Sequence, residues 1–328
     1  MKIQKLPTLI ALFILTSHAH CNEFDWASVT FDNDFFTGSD NGYSNGFIVS
    51  LFDTSKNETI KPTWLVAPLK IILQDTTPIK MLDIFTVGQL IVTPGDITLS
   101  VPIEGDLPYS GLLYFSNNYV KVYSEYSEDI STVIGIVGPL SGAEHSQRFI
   151  HNLIGSDEPM GWDSQLNNEP VFKVSYGRTY RSWVNDDDSS DIITRFEGGL
   201  GNLESNAYSS ISFRYGENLT ETYASMGFSD SRLSNPVAVE GSWYVFGGLT
   251  SKYTFHSIHL DGNTFEDSQS VEYDRFSIGL IVGIAYSWDN ISLTFSIADS
   301  DIIVGSLAEA KDKDQYSRYG SLTVGWKI

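Results

Sequence analysis

Two short stretches of the chain concentrate residues able to carry acid–base or metal chemistry. The first, FDNDFFTGSDNGYSNGF at 31–47, brings Asn33, Asp34, Asp40 and Asn41 into a glycine-rich run between two alternating apolar segments. The second, at 138–170, holds His145, Gln147, Arg148, His151, Asp157, Glu158, Asp163, Gln165 and Glu169. Asn and Asp are also default turn residues, because their side chains bond their own backbone. Composition therefore leaves the first stretch open between a hairpin tip and a site. The second is longer than an ordinary connection, and long loops in compact structures are usually functional. Within it Gln147 and His151 stand four residues apart, so a short helix would set both on one face.

The elements that must position these loops have a period of two, not 3.6. At the C-terminus, Leu322, Val324, Trp326 and Ile328 alternate with Ser321, Thr323, Gly325 and Lys327. Similar runs recur at 24–32, 44–52, 82–92, 110–122, 131–138, 171–181, 191–200, 207–215, 241–252, 272–287 and 289–299. With 316–328 they predict about twelve strands, and only a turn or two of helix around 143–154 competes with them. Alternation alone also fits a secreted sandwich. The N-terminus adds Lys2 and Lys5, a short apolar core from Leu9 to Leu15, and small residues at Ser17 and Ala19. This reads as an export signal over 1–19, leaving one domain over 20–328. Export, many strands of ~10 residues and abundant aromatics together predict an all-β fold, an antiparallel transmembrane barrel with aromatic girdles. Its helical segment would lie in an extracellular loop.

Charge and cysteine narrow the function. The formal net charge is −21, and becomes −23 once Lys2 and Lys5 leave with the signal. Nucleic acid would be repelled, and any polyanionic ligand needs a bridging divalent cation. A single cysteine excludes an intrachain disulfide framework. If the chain starts in the periplasm, odd-numbered connections face outward. The loops 33–43, 93–109 and 139–169 are then extracellular, and 53–80 and 182–190 periplasmic. The apolar run from Trp64 to Leu73 within 53–80 suggests a short helix on the inner membrane face.

Two ordered motifs resemble the outer-membrane lipid A 3′-O-deacylase family. One is Asn33-Asp34 followed by Tyr43-Ser44-Asn45-Gly46. The other is Gly138-Pro139, Gln147, His151, Ile154-Gly155, Pro159, Gly161-Trp162, Gln165 and Glu169. The resemblance implies a twelve-stranded barrel in the Gram-negative outer membrane, with a Ca²⁺-dependent site at its outer rim. It implies His151 as general base on water, and Asn33 and Asp34 as the family's polar pair and candidate Ca²⁺ ligands. Ser44 falls where the family has Ser or Thr, and Asp157 where an acidic residue is expected. Gln147 belongs to the same series, and Arg148 is the candidate contact for lipid phosphates. The second outer loop, where the family has basic residues, has no Lys or Arg here.

The implied chemistry is coherent. Ester hydrolysis needs a base that titrates near neutrality, and donors or positive charge aimed at the developing oxyanion. A hard cation on oxygen ligands supplies that charge and offsets repulsion between an acidic protein and a phosphorylated lipid. The expected partners are lipid A in lipopolysaccharide and the surrounding membrane lipids, with the barrel as a monomer. Two other readings compete: an outer-membrane lipase or phospholipase with a serine nucleophile, and a non-enzymatic pore or adhesin. The His-Asp-Ser-x-Gly signature of outer-membrane phospholipases is absent.

Overall fold

A computed structural model describes residues 24–33, 36, 42–55, 60–224, 243–288, 290–299 and 318–328. The described residues form twelve antiparallel strands. They are β1 (Trp26–Asn33), β2 (Gly42–Ser55), β3 (Lys80–Thr93), β4 (Ser110–Val122), β5 (Tyr126–Val137) and β6 (Glu169–Val184), then β7 (Ser190–Leu200), β8 (Glu204–Gly216), β9 (Trp243–Ser257), β10 (Phe276–Trp288), β11 (Ile291–Asp299) and β12 (Arg318–Lys327). Each pairs with its neighbours in sequence, and β1 pairs with β12 to close the barrel. Closure leaves no sheet edge, which is what strands crossing hydrocarbon require. Every expected strand falls on one of these twelve.

Alternation sorts the side chains into two faces. Phe47 and Val49 of β2, Val87 of β3 and Leu113 of β4 are exposed on the outside, as are Leu280, Val282, Ile284 and Tyr286 of β10. Many of the inward positions are polar and cross-bonded. Thr30 and Thr323 share a hydrogen bond of 2.7 Å, and Ser50 and Thr86 one of 2.9 Å. Apolar outside and polar inside is the inverse of a soluble protein, and it marks lipid as the outer solvent.

The lumen is filled rather than open at one end. There Trp26, Phe52, Leu82, Ile84 and Val120 pack against Tyr223 and Ala224. Those two follow a single turn, α2 (Leu219–Thr222), and the Tyr223 hydroxyl donates to the carbonyl of Tyr123 at 2.6 Å. Further along, Arg195 makes a two-pronged ion pair with Asp129 at 2.6 and 3.1 Å, and Glu204 accepts from Lys173 and Lys252. The cavity that these chains line measures about 270 Å³.

The connections alternate between the two ends. The loops 94–109 and 138–168 share the end opposite the Tyr223 plug. The second contains α1 (Ala143–Ile154), a full 12-residue helix where the sequence suggests only a turn or two. The connection after β2 reaches the plugged end, where residues 67–72 form a 3-10 helix.

Candidate active site

Helix α1 lies on the outside of the barrel wall. Paired residues in antiparallel strands point to the same face, so the outward phase of Phe47, Val87 and Leu113 carries along the ladder. Asn33 pairs with Asn45, Asn45 with Ile91, and Ile91 with Gly111, which makes one outward-facing row across β1 to β4. Gly111 seats the helix: a Cβ there would stand 2.2 Å from the Ala143 Cβ and 2.3 Å from the Ser141 hydroxyl. Gln89, also outward, donates to the Ser141 carbonyl at 2.7 Å. Ile91, Ile97, Tyr109, Ala143 and Trp162 close into a buried cluster beneath the helix.

The helix turns its polar side to the protein and its apolar side away. Ala143, Gln147 and His151 form the buried stripe at i, i+4 and i+8, while Phe149 and Leu153 are 70% and 75% exposed. A soluble protein would reverse this arrangement, because buried polar groups are costly unless bonded. Both buried side chains are bonded. The His151 Nδ1–H donates to the main-chain carbonyl of Asp157 at 2.6 Å, which leaves Nε2 as the basic nitrogen. The contact depends on how α1 ends. Gly155 takes a left-handed conformation, φ 75°, and the amides of Gly155 and Ser156 both donate to the His151 carbonyl, at 2.9 and 3.0 Å. That cap turns the chain back so that Asp157 reaches the ring.

Gln147 is fully buried, and its Oε1 accepts from the Trp162 indole N–H at 2.8 Å. Its Nε2 has no partner among the described residues. Trp162 in turn packs on Tyr109, with ring centroids 5.0 Å apart, and the Tyr109 hydroxyl donates to the Ile97 carbonyl at 3.1 Å. Burial pushes the Tyr109 phenol up to about 12. The second loop at this end thus buttresses the third: the Met160 amide bonds the Ile97 carbonyl, and the Leu166 amide that of Tyr109.

The remaining expected residues are distributed around this core. Asn33 is buried at the end of β1, and its amide donates to the Asn45 carbonyl oxygen at 2.5 Å. Asp34 lies outside the described residues. Ser44 is the extra residue of a bulge between Tyr43 and Asn45 in β2, and its side chain also lies outside them. Such bulges re-aim side chains beside active sites. Asp157 contributes its carbonyl to His151, while its side chain is exposed. Arg148 pairs with Glu144 at 3.0 Å and with Glu158, so its charge is already matched within the loop.

The described side-chain oxygens at the rim are the amide carbonyls of Asn33 and Asn45. That is the donor type a hard cation such as Ca²⁺ takes. Among the described residues no group of three or more His, Cys, Asp or Glu is placed to hold a metal.

Comparison with known proteins then decides the lineage. The family described as outer membrane protein LpxR matches residues 7–328. The chain belongs to that family. Membership in the LpxR family makes it an outer-membrane protein of the lipid A deacylase type. The solved LpxR from Salmonella typhimurium is similar in fold, with a TM-score of 0.72 at 15% identity, covering 92% of this chain and 100% of that one. The KdgM porin in complex with disordered oligogalacturonate covers 92% of this chain and 99% of that one, but reaches only 0.36 at 8% identity. No curated protein matches the chain in sequence.

The roles of two participants are not evident from the sequence reading. Asn45 stands in the first motif, but its contact with Asn33 requires the strand register. Trp162 stands in the motif series, yet its role as the partner that fixes Gln147 requires the fold.

Proposed function

We propose that the chain is a lipid A 3′-O-deacylase, a carboxylic ester hydrolase that uses His151 as general base. The observation that carries the reading is the His151–Asp157 contact on a helix whose buried stripe is polar and whose outer face is apolar. With Nδ1 engaged, Nε2 accepts a proton from water as its oxygen attacks the 3′ acyl carbonyl. Collapse of the tetrahedral adduct expels the sugar oxygen, which takes that proton back. The products are the carboxylic acid and a free 3′ hydroxyl.

Gln147 stands one turn before His151 on the same buried stripe, and its Nε2, without a partner among the described residues, is the donor type a developing oxyanion needs. When bound, Ca²⁺ adds positive charge to the site. Asn33, Asp34 and the amide oxygen of Asn45 would hold it. Phe149 and Leu153, with the exposed Leu140 and Met160, offer an apolar margin to acyl chains. In this reading the α1 end faces the cell exterior, where lipid A resides, residues 1–19 form a cleaved export signal, and the barrel works as a monomer.

A pore is less well supported, because the apolar plug and charge pairs occupy the lumen while the polar groups of the third loop sit on the outer wall. Mass spectrometry of lipid A from cells producing the chain tests the proposal.

A further inference from the structure

The connection between β2 and β3 is not a loose turn. Its residues 60–79 lie as a strap against the outside of the barrel at the plugged end. The wall beneath is polar where lipid contact is expected. Asp83, Asn117, Lys121, Glu128 and Thr132 share the outward phase of Val87, Leu113 and Ile134, yet all five are buried. Bare in hydrocarbon they would be costly, and the strap replaces lipid over them.

The strap is bonded along its length. Thr63 donates to Asn117 at 2.5 Å, Thr132 to the Leu65 carbonyl at 3.0 Å, and Lys121 to the Gln74 carbonyl at 2.8 Å. The Gln74 amide donates to Glu128 at 2.7 Å, and the Tyr119 hydroxyl to the Ile60 carbonyl at 2.8 Å. Ile60, Val66 and Leu73 pack inward against Met81, Tyr119 and Ile130.

Its outer side is apolar and basic. Trp64 is 78% exposed, Ile71 90%, Ile72 50% and Ile79 59%, continuing the lipid-facing belt of the wall. Lys61 and Lys70 are exposed among them. Residues 60–80 hold Lys61, Lys70 and Lys80 against the single acid Asp75, in a chain whose net charge is −21. A local excess of positive charge at an interfacial Trp and Ile surface matches anionic headgroups rather than zwitterionic ones.

We propose that the strap is a docking surface for anionic phospholipid headgroups, with Lys61 and Lys70 holding the phosphates and Trp64 and Ile71 seated in the leaflet. On the orientation proposed above this is the periplasmic leaflet.

The test uses the full chain refolded into phosphatidylcholine vesicles containing brominated phosphatidylglycerol or, at equal fraction, brominated phosphatidylcholine. The Trp64 signal is the fluorescence difference between wild type and Trp64→Phe. Brominated phosphatidylglycerol should quench it several-fold more strongly than brominated phosphatidylcholine. Each lysine near an anionic surface contributes about fivefold in local affinity at most. Lys61→Gln with Lys70→Gln should erase the preference while the barrel keeps its folded mobility on unheated gels. Equal quenching by both lipids would leave only an apolar anchor and overturn the headgroup assignment. No quenching by either would place the strap off the membrane and overturn the whole proposal. Neither readout needs catalysis, and the vesicles are symmetric, so failure here is separate from failure of the deacylase reading.

Discussion

His151 Nδ1 lies 2.6 Å from the main-chain oxygen of Asp157, six residues further along the chain. A backbone carbonyl only accepts, so it fixes the proton on Nδ1 and leaves Nε2 as the basic nitrogen. Unlike a carboxylate partner, the carbonyl adds no formal charge. The orientation of the base therefore depends on backbone shape at the end of α1, not on an acidic side chain.

Gly155 is where that shape is set. Its φ of 75° favours glycine, and nothing lies within 4 Å of an added Cβ. Gly155→Ala is thus expected to cost ~1 kcal/mol from the left-handed conformation alone. Deacylation should fall with it, through kcat, as the Asp157 carbonyl shifts. Gly155→Asn should retain most of the rate, because Asn tolerates this region. Equal loss in both variants would show that the cap does not position the ring.

Gln147 separates structural from chemical contributions. Gln147→Ala strands the buried Trp162 N–H and should destabilise the protein by about 1–3 kcal/mol. Gln147→Glu keeps an acceptor for Trp162 and deletes the amide donors. Its rate should drop about 10²–10³-fold if Nε2 stabilises the oxyanion. Thermal unfolding followed alongside initial rates checks the pair. Full activity in Gln147→Glu would remove the donor role.

Tyr109 predicts an alkaline limit for the loop support. Its folded value of about 12 lies above the ordinary 10, so its stabilising effect is complete below pH 10. That effect is lost as pH rises from 10 through about 12, and amounts to roughly 3 kcal/mol at most. Tyrosinate absorbance at rising pH should show a late-titrating phenol that Tyr109→Phe removes, and the Trp162 environment should loosen between pH 10 and 12 in wild type but not through this position in Tyr109→Phe.

Calcium dependence should report on the rim amides. Asn33→Ala removes one of the proposed oxygen ligands and breaks the contact with Asn45. The calcium concentration for half-maximal activity should rise several-fold while the barrel stays folded. An unchanged calcium curve would place the ion elsewhere.

The barrel was legible in the sequence because a half-lipid, half-lumen strand writes its environment at every second position, as in Leu322, Val324 and Trp326. The buried stripe of α1 was legible as a spacing, Gln147 to His151. The length of the helix was not, because Phe149 and Leu153 stay exposed and blur any soluble helical pattern. Asp157 reads as an acidic residue, yet works through its backbone, which no side-chain motif encodes. The strap was visible only as an apolar run, Trp64 to Leu73. Its polar floor comes from Asp83, Asn117 and Glu128, which lie on three other strands and meet only through register.

The central claim is that His151 drives loss of the 3′-linked acyl group from lipid A. Its most direct test is the mass of lipid A from a bacterium without such activity, carrying the wild-type chain or His151→Ala. The account predicts loss of one acyl or acyloxyacyl unit with wild type. It predicts unmodified lipid A with His151→Ala and when a calcium chelator is added to wild-type membranes. Lipid A unchanged in every sample would contradict the enzymatic reading, and full deacylation by His151→Ala would contradict the mechanism.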